Sequence, residues 1–355
     1  MRRWLVAAAA LALVALAGFG FAGYRAWASL EEPYPESPAE PVTVDILPGT
    51  SGTAILRTLQ SQGVIRDARL ARLYLIHILE DPSLQAGEYR FERPSTTKQV
   101  LDQIIRGSVV TYPVTIIEGL TFQETAEQLA AQGFGRLEVF EELVTDPALI
   151  IDLDPAAKNL EGYLYPDTYS FPRGTPEDEI VRAMVQAFRL RWTEEVVPLL
   201  GQGAAVREVR EVVTLASIIE KEAKLQEERA LISSVYNNRL EIGMGLYADP
   251  TIIYAMKIAG TWDGNIRRRD LKMESPYNTY LVPGLPPSPI GSPALRSLIA
   301  AVQPEDSPYL FFVSRNDGSH VFAQSIDEHN RNVRIWQKEF WTKKWAEERA
   351  KKGTK

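Results

Sequence analysis

The residues with the clearest chemical potential lie in TLASIIEKEA, Thr214 to Ala223, where an apolar run ends in Glu220, Lys221 and Glu222. Read as a helix, Glu220 has Ala216 and Ser217 one turn before it and Ala223 and Lys224 one turn after. Three of these neighbours are small, which leaves room beside the carboxyl for a molecule other than protein. Glu222 lies about 200° further round, so the two acids share no face and cannot act as a dyad. Glu220 adjoins the apolar side, and partial burial there would favour its protonated form, as a general acid requires. The plainer alternative is an exposed Glu220 paired with Lys224.

Three loops share a composition that bears on this choice. NLEGYLYPDTY, IGMGLYADPTIIYAM and SPYNTYLVPGLPPSPI each set Tyr beside Asp, Asn or Thr in a Gly/Pro-rich frame. Aromatic faces stack on sugar rings and short polar groups bond hydroxyls, so such loops suit a carbohydrate cleft. Each taken singly could merely lock a loop onto a core. The candidates they supply are Tyr247, Asp249, Tyr277, Asn278 and Tyr280, with Glu161 and Asp167 from the first loop and Ser217 beside Glu220. Asn278 could bond an N-acetyl group. Asp249 could hold a sugar hydroxyl or cap the helix after it. Lys221 and Glu222 would support Glu220 from behind. Asn238, Arg239 and His320 read as structural.

Composition sets the bounds. The chain has 355 residues, 24% charged and 45% hydrophobic, enough for two or three domains. A net charge of -7 argues against a nucleic-acid surface. With no Cys and three His, disulfides and cysteine metal clusters are excluded and a histidine metal site is disfavoured; no cofactor is expected. Residues 4–24 carry no charge and match the length of about 20 that spans a bilayer, with Arg2 and Arg3 before them. The expectation is an uncleaved anchor with its N-terminus cytoplasmic; a signal peptide cut after Ala26-Trp27-Ala28 is the alternative. Residues 29–41, rich in Pro and Glu, read as an extended linker.

An internal echo follows. Residues 42–65 resemble 113–134 at an offset of about 70, matching Gly49 with Gly119, Leu59 with Leu129 and Gly63 with Gly133. Each copy reads as strand, Gly turn and amphipathic helix, so two small β-α units are expected, which could share a sheet. Beyond residue 134, helices dominate, with a break expected near 224–227, a helix capped by Ser292, a strand pair turning at NDG, and a terminal helix. The class is α+β.

The strand, Gly and helix units are similar to lysin-motif glycan-binding modules. TLASIIEKEA, NNRLEIGMGLYADPTIIYAM, SPYNTYLVPGLPPSPI and GSHVFAQSIDEHN, in that order behind an anchor, resemble the endolytic murein transglycosylase family (YceG-like). The resemblance implies a lyase that cuts the β-1,4 bond between N-acetylmuramic acid and N-acetylglucosamine within a strand, leaves a 1,6-anhydro end and uses Glu220 as the acid. One carboxyl suffices in that chemistry, because the sugar's own 6-hydroxyl is the nucleophile; ordinary glycosidases need two. It further implies a single-pass protein of the bacterial inner membrane, peptidoglycan strands as substrate and peptidoglycan synthases as neighbours. The expected organisation is an anchor at 1–28, a linker at 29–41, a lysin-motif-like module at 42–110, a catalytic domain at 111–340 and a charged tail at 341–355. This chain departs from the family pattern at Tyr247-Ala248, Ser288, Ser292 and Ala294. A non-enzymatic wall-binding scaffold and a hydrolytic muramidase, which would need Asp249 or Glu161 as a second carboxylate, are the rival readings.

Overall fold

The computed structural model describes residues 2–200, 208–342 and 344–345, with the side chains of 2–10, 12 and 36–39 outside that description. The expected tail at 341–355 therefore falls almost wholly outside it. The chain divides into two compact units, one of residues 1–112 with 170–173 and one of residues 113–169 with 174–355.

In the first unit, α1 (Arg2–Glu31) leads into β1 (Tyr34–Ile46), α2 (Gly52–Ser61), α3 (Ala68–His77), β2 (Gly87–Ser95) and α4 (Thr97–Ile105). Alternation along 42–46 and 87–91 puts Val44, Ile46, Tyr89 and Phe91 inward, against Leu56 and Leu59 of α2, Leu75 of α3 and Leu101 of α4. Ser51 caps α2, Asp67 caps α3, and Thr96 with Gln99 closes a capping box on α4.

Two expectations for this region are corrected. No helix among the described residues is long and apolar enough to cross a membrane, so the transmembrane helix and the inner-membrane location are not upheld. The lower end of the helix packs on protein instead: Trp27 meets Tyr74 edge-on at 5.9 Å, the Lys98 ammonium sits 4.2 Å over the Trp27 ring, and Leu30 is buried. Residues 29–41 are no free linker either. They end α1 and begin β1, where Tyr34 pairs with Ser95 and Ala39 with Arg93 across two register irregularities. Those irregularities accommodate the prolines, which cannot donate to the ladder.

The echo follows at residues 112–171, mostly within the second unit. β3 (Tyr112–Thr115), α5 (Phe122–Ala131), α6 (Leu137–Thr145) and β4 (Thr168–Phe171) repeat the β-α-α-β order of β1, α2, α3 and β2. The copies do not share a sheet, because β1 pairs with β2 and β3 with β4. The matched positions are nonetheless the same in kind. Gly49 and Gly119 both have φ +79°, Ser51 and Thr121 both cap the helix that follows, and Leu59 and Leu129 are both buried.

The helical remainder comprises α7 (Glu177–Arg191), α8 (Val209–Glu222), α9 (Arg229–Glu241), α10 (Asp249–Ile258) and α11 (Leu295–Val302). The strand pair β5 (Phe311–Ser314) and β6 (His320–Ala323) follows, and then α12 (Ile326–Val333), which runs on into a π-helical stretch (Arg334–Glu339). The expected break separates α8 from α9. Helix α11 starts later than expected, after Ala294, and Ser292 does not cap it. Ten residues of α8, from Val209 to Glu220, are buried, so this helix is the axis of the unit. Gly162 (φ +87°) lies against it: a Cβ there would fall 2.6 Å from Pro289 and 2.8 Å from Val213.

Gly162→Ala is expected to lower unfolding free energy by about 3 kcal/mol, combining a left-handed backbone with overpacking. Gly49→Ala, whose Cβ would meet open space, isolates the backbone contribution of about 1 kcal/mol. Urea denaturation of both checks this; equal losses would show that the Pro289 contact yields freely.

Candidate active site

Glu220 lies in the last turn of α8 and is 8% exposed. Its Oε1 accepts a hydrogen bond from Arg229 Nη2 at 2.6 Å, and its Oε2 accepts one from the Ala294 backbone N–H at 2.9 Å. Arg229 is buried too, and its Nε–H donates to Ser297 Oγ at 3.0 Å. Three elements thus converge on one carboxyl: α8 supplies it, the first residue of α9 supplies the cation, and α11 with its leading residue holds both. The expected alternative, a Lys224 partner one turn on, fails because α8 ends at Glu222 and the chain turns extended at Ala223.

The Pro-rich loop runs alongside α8 in the same direction. Pro287 O accepts from Arg210 Nη1 (2.8 Å), the Ile290 N–H donates to Ser217 Oγ (3.0 Å), and Ala294 N–H reaches Glu220. Ser217 in turn donates to Thr214 O at 2.7 Å, so its hydroxyl is committed to positioning this loop. The turn of the second repeat joins by paired backbone bonds, Gly119 N–H to Ser292 O and Ser292 N–H to Leu120 O, both 2.8 Å. A Cβ on Gly119 would stand 3.6 Å from Glu220 Cγ and 3.5 Å from the Lys221 stem.

Around this centre the remaining candidates fall into two groups. In one, Glu161 is 1% exposed; its Oε1 accepts from Phe122 N–H at 3.1 Å and its Oε2 from the Tyr254 hydroxyl at 3.0 Å. Burial pushes its pKa up to about 8, Glu124 adds to this, and the two donors and Lys221 oppose it. The Tyr254 ring lies 4.8 Å from that of Tyr277, whose hydroxyl meets Ser288 Oγ at 2.7 Å. Lys221, exposed along part of its length, lines a cavity of about 120 Å³ with Thr121, Pro250, Tyr254, Lys257 and Ile290; loss of water around its ammonium pushes its pKa down.

The other group surrounds Glu222, which accepts from the Tyr236 hydroxyl at 3.1 Å. Burial, then the charge of Asp249, pushes its pKa up to about 7. Asp249 is the first residue of α10 and accepts from the Tyr280 hydroxyl at 2.6 Å, which makes it a partner of Tyr280 rather than the residue before the helix. Tyr247, with φ +48°, is partly exposed, and its ring stands 5.5 Å from that of Tyr280.

Two candidates stand apart. Asn278 is fully buried; its amide donates to Leu271 O and Met273 O and accepts from Tyr280 N–H, so it shapes the loop and has no free group for an N-acetyl function. Asp167 is exposed and its carboxyl takes the Thr168 N–H at 2.7 Å. Arg229, Ser297 and the Ala294 N–H are absent from the sequence reading. One signal was there: an Arg at the first position of a helix opposes the helix dipole, which asks for a compensating partner. Among the described residues no group of three or more His, Asp or Glu is placed to hold a metal ion.

The site is thus a buried carboxyl held by a cation and a backbone donor within an α+β fold. A model of the YceG-like family matches residues 44–335, and the chain belongs to that family. The endolytic murein transglycosylase of Bacillus subtilis (strain 168) is 30% identical over 320 residues, 85% of this chain and 87% of that protein. The endolytic murein transglycosylase of Streptococcus pneumoniae (strain D39) is 28% identical over 353 residues, 90% of this chain but 63% of its own length. A crystal structure of a yceG-like protein from Listeria monocytogenes is similar with a TM-score of 0.56 and 32% identity, covering 82% of this chain and 98% of that one.

Arg229→Met leaves Glu220 buried without its cation and is expected to lower stability by about 3–5 kcal/mol. Glu220→Gln in the same chain should recover much of that loss, a coupling that a double-mutant cycle in urea measures. Glu161 predicts a pH effect. Its folded pKa is raised, so between about 4.5 and 8 the folded chain holds a proton that the unfolded chain has released, and stability falls as pH rises through that window. Glu161→Gln should flatten the decline in denaturant stability from pH 5 to pH 8; an unchanged slope would assign it to other groups.

Proposed function

We propose that this chain is an endolytic murein transglycosylase, a lyase that cuts peptidoglycan glycan strands between N-acetylmuramic acid and N-acetylglucosamine and leaves 1,6-anhydro ends. The observation that carries this reading is Glu220, a single buried carboxyl tied to Arg229 and Ala294 N–H, in a chain of this family. Glu220, when protonated, gives its proton to the glycosidic oxygen, and the bond from that oxygen to C1 breaks. The resulting carboxylate takes the proton of the same sugar's 6-hydroxyl as that oxygen bonds to C1. The acid is thereby restored and no water is consumed. Arg229 and the Ala294 N–H stabilise the carboxylate that exists between the two transfers, as charge-assisted hydrogen bonds do.

The rest of the assignment follows the same line. Tyr247, Tyr277 and Tyr280 form the aromatic wall along the sugars, Asp249 orients Tyr280, and Glu222 and Lys221 set the polarity behind Glu220. Glu161 binds no sugar in this reading; sealed from water, it fixes the start of α5 and Tyr254. That burial also counts against its use as the second carboxylate of a hydrolase. The β-α-α-β module of the first unit holds the strand, in the manner of a lysin motif. Cutting within new strands ends their growth, which places the enzyme's work beside the synthases that make them.

The test compares wild type with Glu220→Gln on un-crosslinked strands, reading the new ends by mass spectrometry. Anhydro-muramyl ends from wild type, lost at least about 10³-fold in the variant, are expected. Reducing ends would make the chain a hydrolase. Binding without cleavage by wild type would make it a scaffold.

A further inference from the structure

The first unit contains a groove of about 640 Å³ between α2 and α3, lined by Thr53, Arg57, Gln60, Asp67, Arg69 and Arg72. Its charges are unevenly committed. Arg72 is tied to Asp81 through both guanidinium ends. Asp67 gives Oδ1 to the N–H groups of Arg69 and Leu70, capping α3. The Gln60 Oε1 accepts from Ala68 N–H at 2.8 Å, which turns the side-chain amide nitrogen into an available donor. Arg57 and Arg69 are exposed, and among the described residues neither is held in an ion pair. Thr53 stands one turn before Arg57 on the same face of α2. Leu73, 53% exposed, adds an apolar wall.

Such a lining is rich in hydrogen-bond donors and carries two uncommitted guanidinium groups, in a chain whose net charge is -7. Neutral sugar hydroxyls do not call for paired arginines. A carboxylate does, because the planar guanidinium fork matches its two oxygens. We propose that this groove binds the carboxylates of the peptide stems carried by the glycan strand, so that the first unit favours peptide-bearing over stripped strands. Arg57 and Arg69 engage the carboxylate, Gln60 and Thr53 the peptide amides, and Leu73 the alanyl methyl groups. The inference names a feature of the substrate and rests on the peptidoglycan reading above.

The test uses the full chain carrying Glu220→Gln, which stops cleavage, with and without Arg57→Gln and Arg69→Gln together. Binding is measured to un-crosslinked strands with their stems, to the same strands after an amidase has removed them, and to phosphatidylglycerol vesicles. The expected result is about a tenfold weaker binding of stem-bearing strands by the double variant, with stripped strands unaffected. The difference should shrink as salt rises, and Arg57→Lys with Arg69→Lys should keep part of the affinity, which separates lost charge from lost folding. Equal losses on both strand types, or none, would overturn the inference. A loss confined to vesicles would overturn it in favour of an anionic lipid headgroup. Failure of the peptidoglycan reading is seen separately, as an absence of new strand ends from the wild-type chain.

Discussion

The hydrogen-bonded ion pair between Glu220 and Arg229 is the constraint around which the second unit is arranged. A carboxylate taken from water carries a penalty of several kcal/mol, and only well-placed partners offset it. Here one partner is near in sequence and one far: Arg229 nine positions on, across a break, and the Ala294 N–H across the whole of α9 and α10. Had α8 continued unbroken into α9, Arg229 would stand about 13 Å further along the axis, out of reach. The interruption after Glu222 is therefore what allows the acid to be buried and held.

The same requirement explains why loops with no regular structure are so firmly placed. Residues 287–294 are stitched to α8 by Arg210, Ser217 and Glu220 in succession, and to the turn at Gly119 by a reciprocal pair of backbone bonds. The Gly119 turn belongs to the second β-α-α-β copy. In the first copy the matching Gly49 faces open space; in the second Gly119 abuts Glu220 and Lys221. One local conformation, set by a left-handed glycine and a hydroxyl cap, thus serves two ends according to what is packed upon it.

Burial also divides the acids by role. Glu161 and Glu222 are both pushed up by desolvation, the first to about 8 and the second to about 7. Yet each is tied to a tyrosine of its own surroundings, Tyr254 and Tyr236. Glu220 is the one that meets a full cation. The helical spacing already separates Glu220 from Glu222 by about 200°, and the structure turns that separation into two chemically different sites on one helix.

Much of this was legible beforehand because it depends on local chemistry. The periods of the apolar residues, the glycines of the repeat, the break after α8 and the separation of Glu220 from Glu222 all follow from neighbours within a turn or two. The tyrosine loops could be recognised as a group by composition. What no local signal contained was the pairing. Residues 29–41 read as an extended linker because their strand partners lie some sixty positions on, at 93–95, and Asn278 reads as a free amide because only the folded loop turns it onto Leu271, Met273 and Tyr280. The apolar run at 4–24 misled for the opposite reason: hydropathy alone names no partner, and the helix that contains it ends packed on Tyr74 and Lys98. The sequence by itself determined on which faces of one helix Glu220 and Glu222 stand, since covalent spacing sets that. Tertiary structure alone decided which carboxyl received a cation, since desolvation and hydrogen bonding depend on what the fold brings into contact.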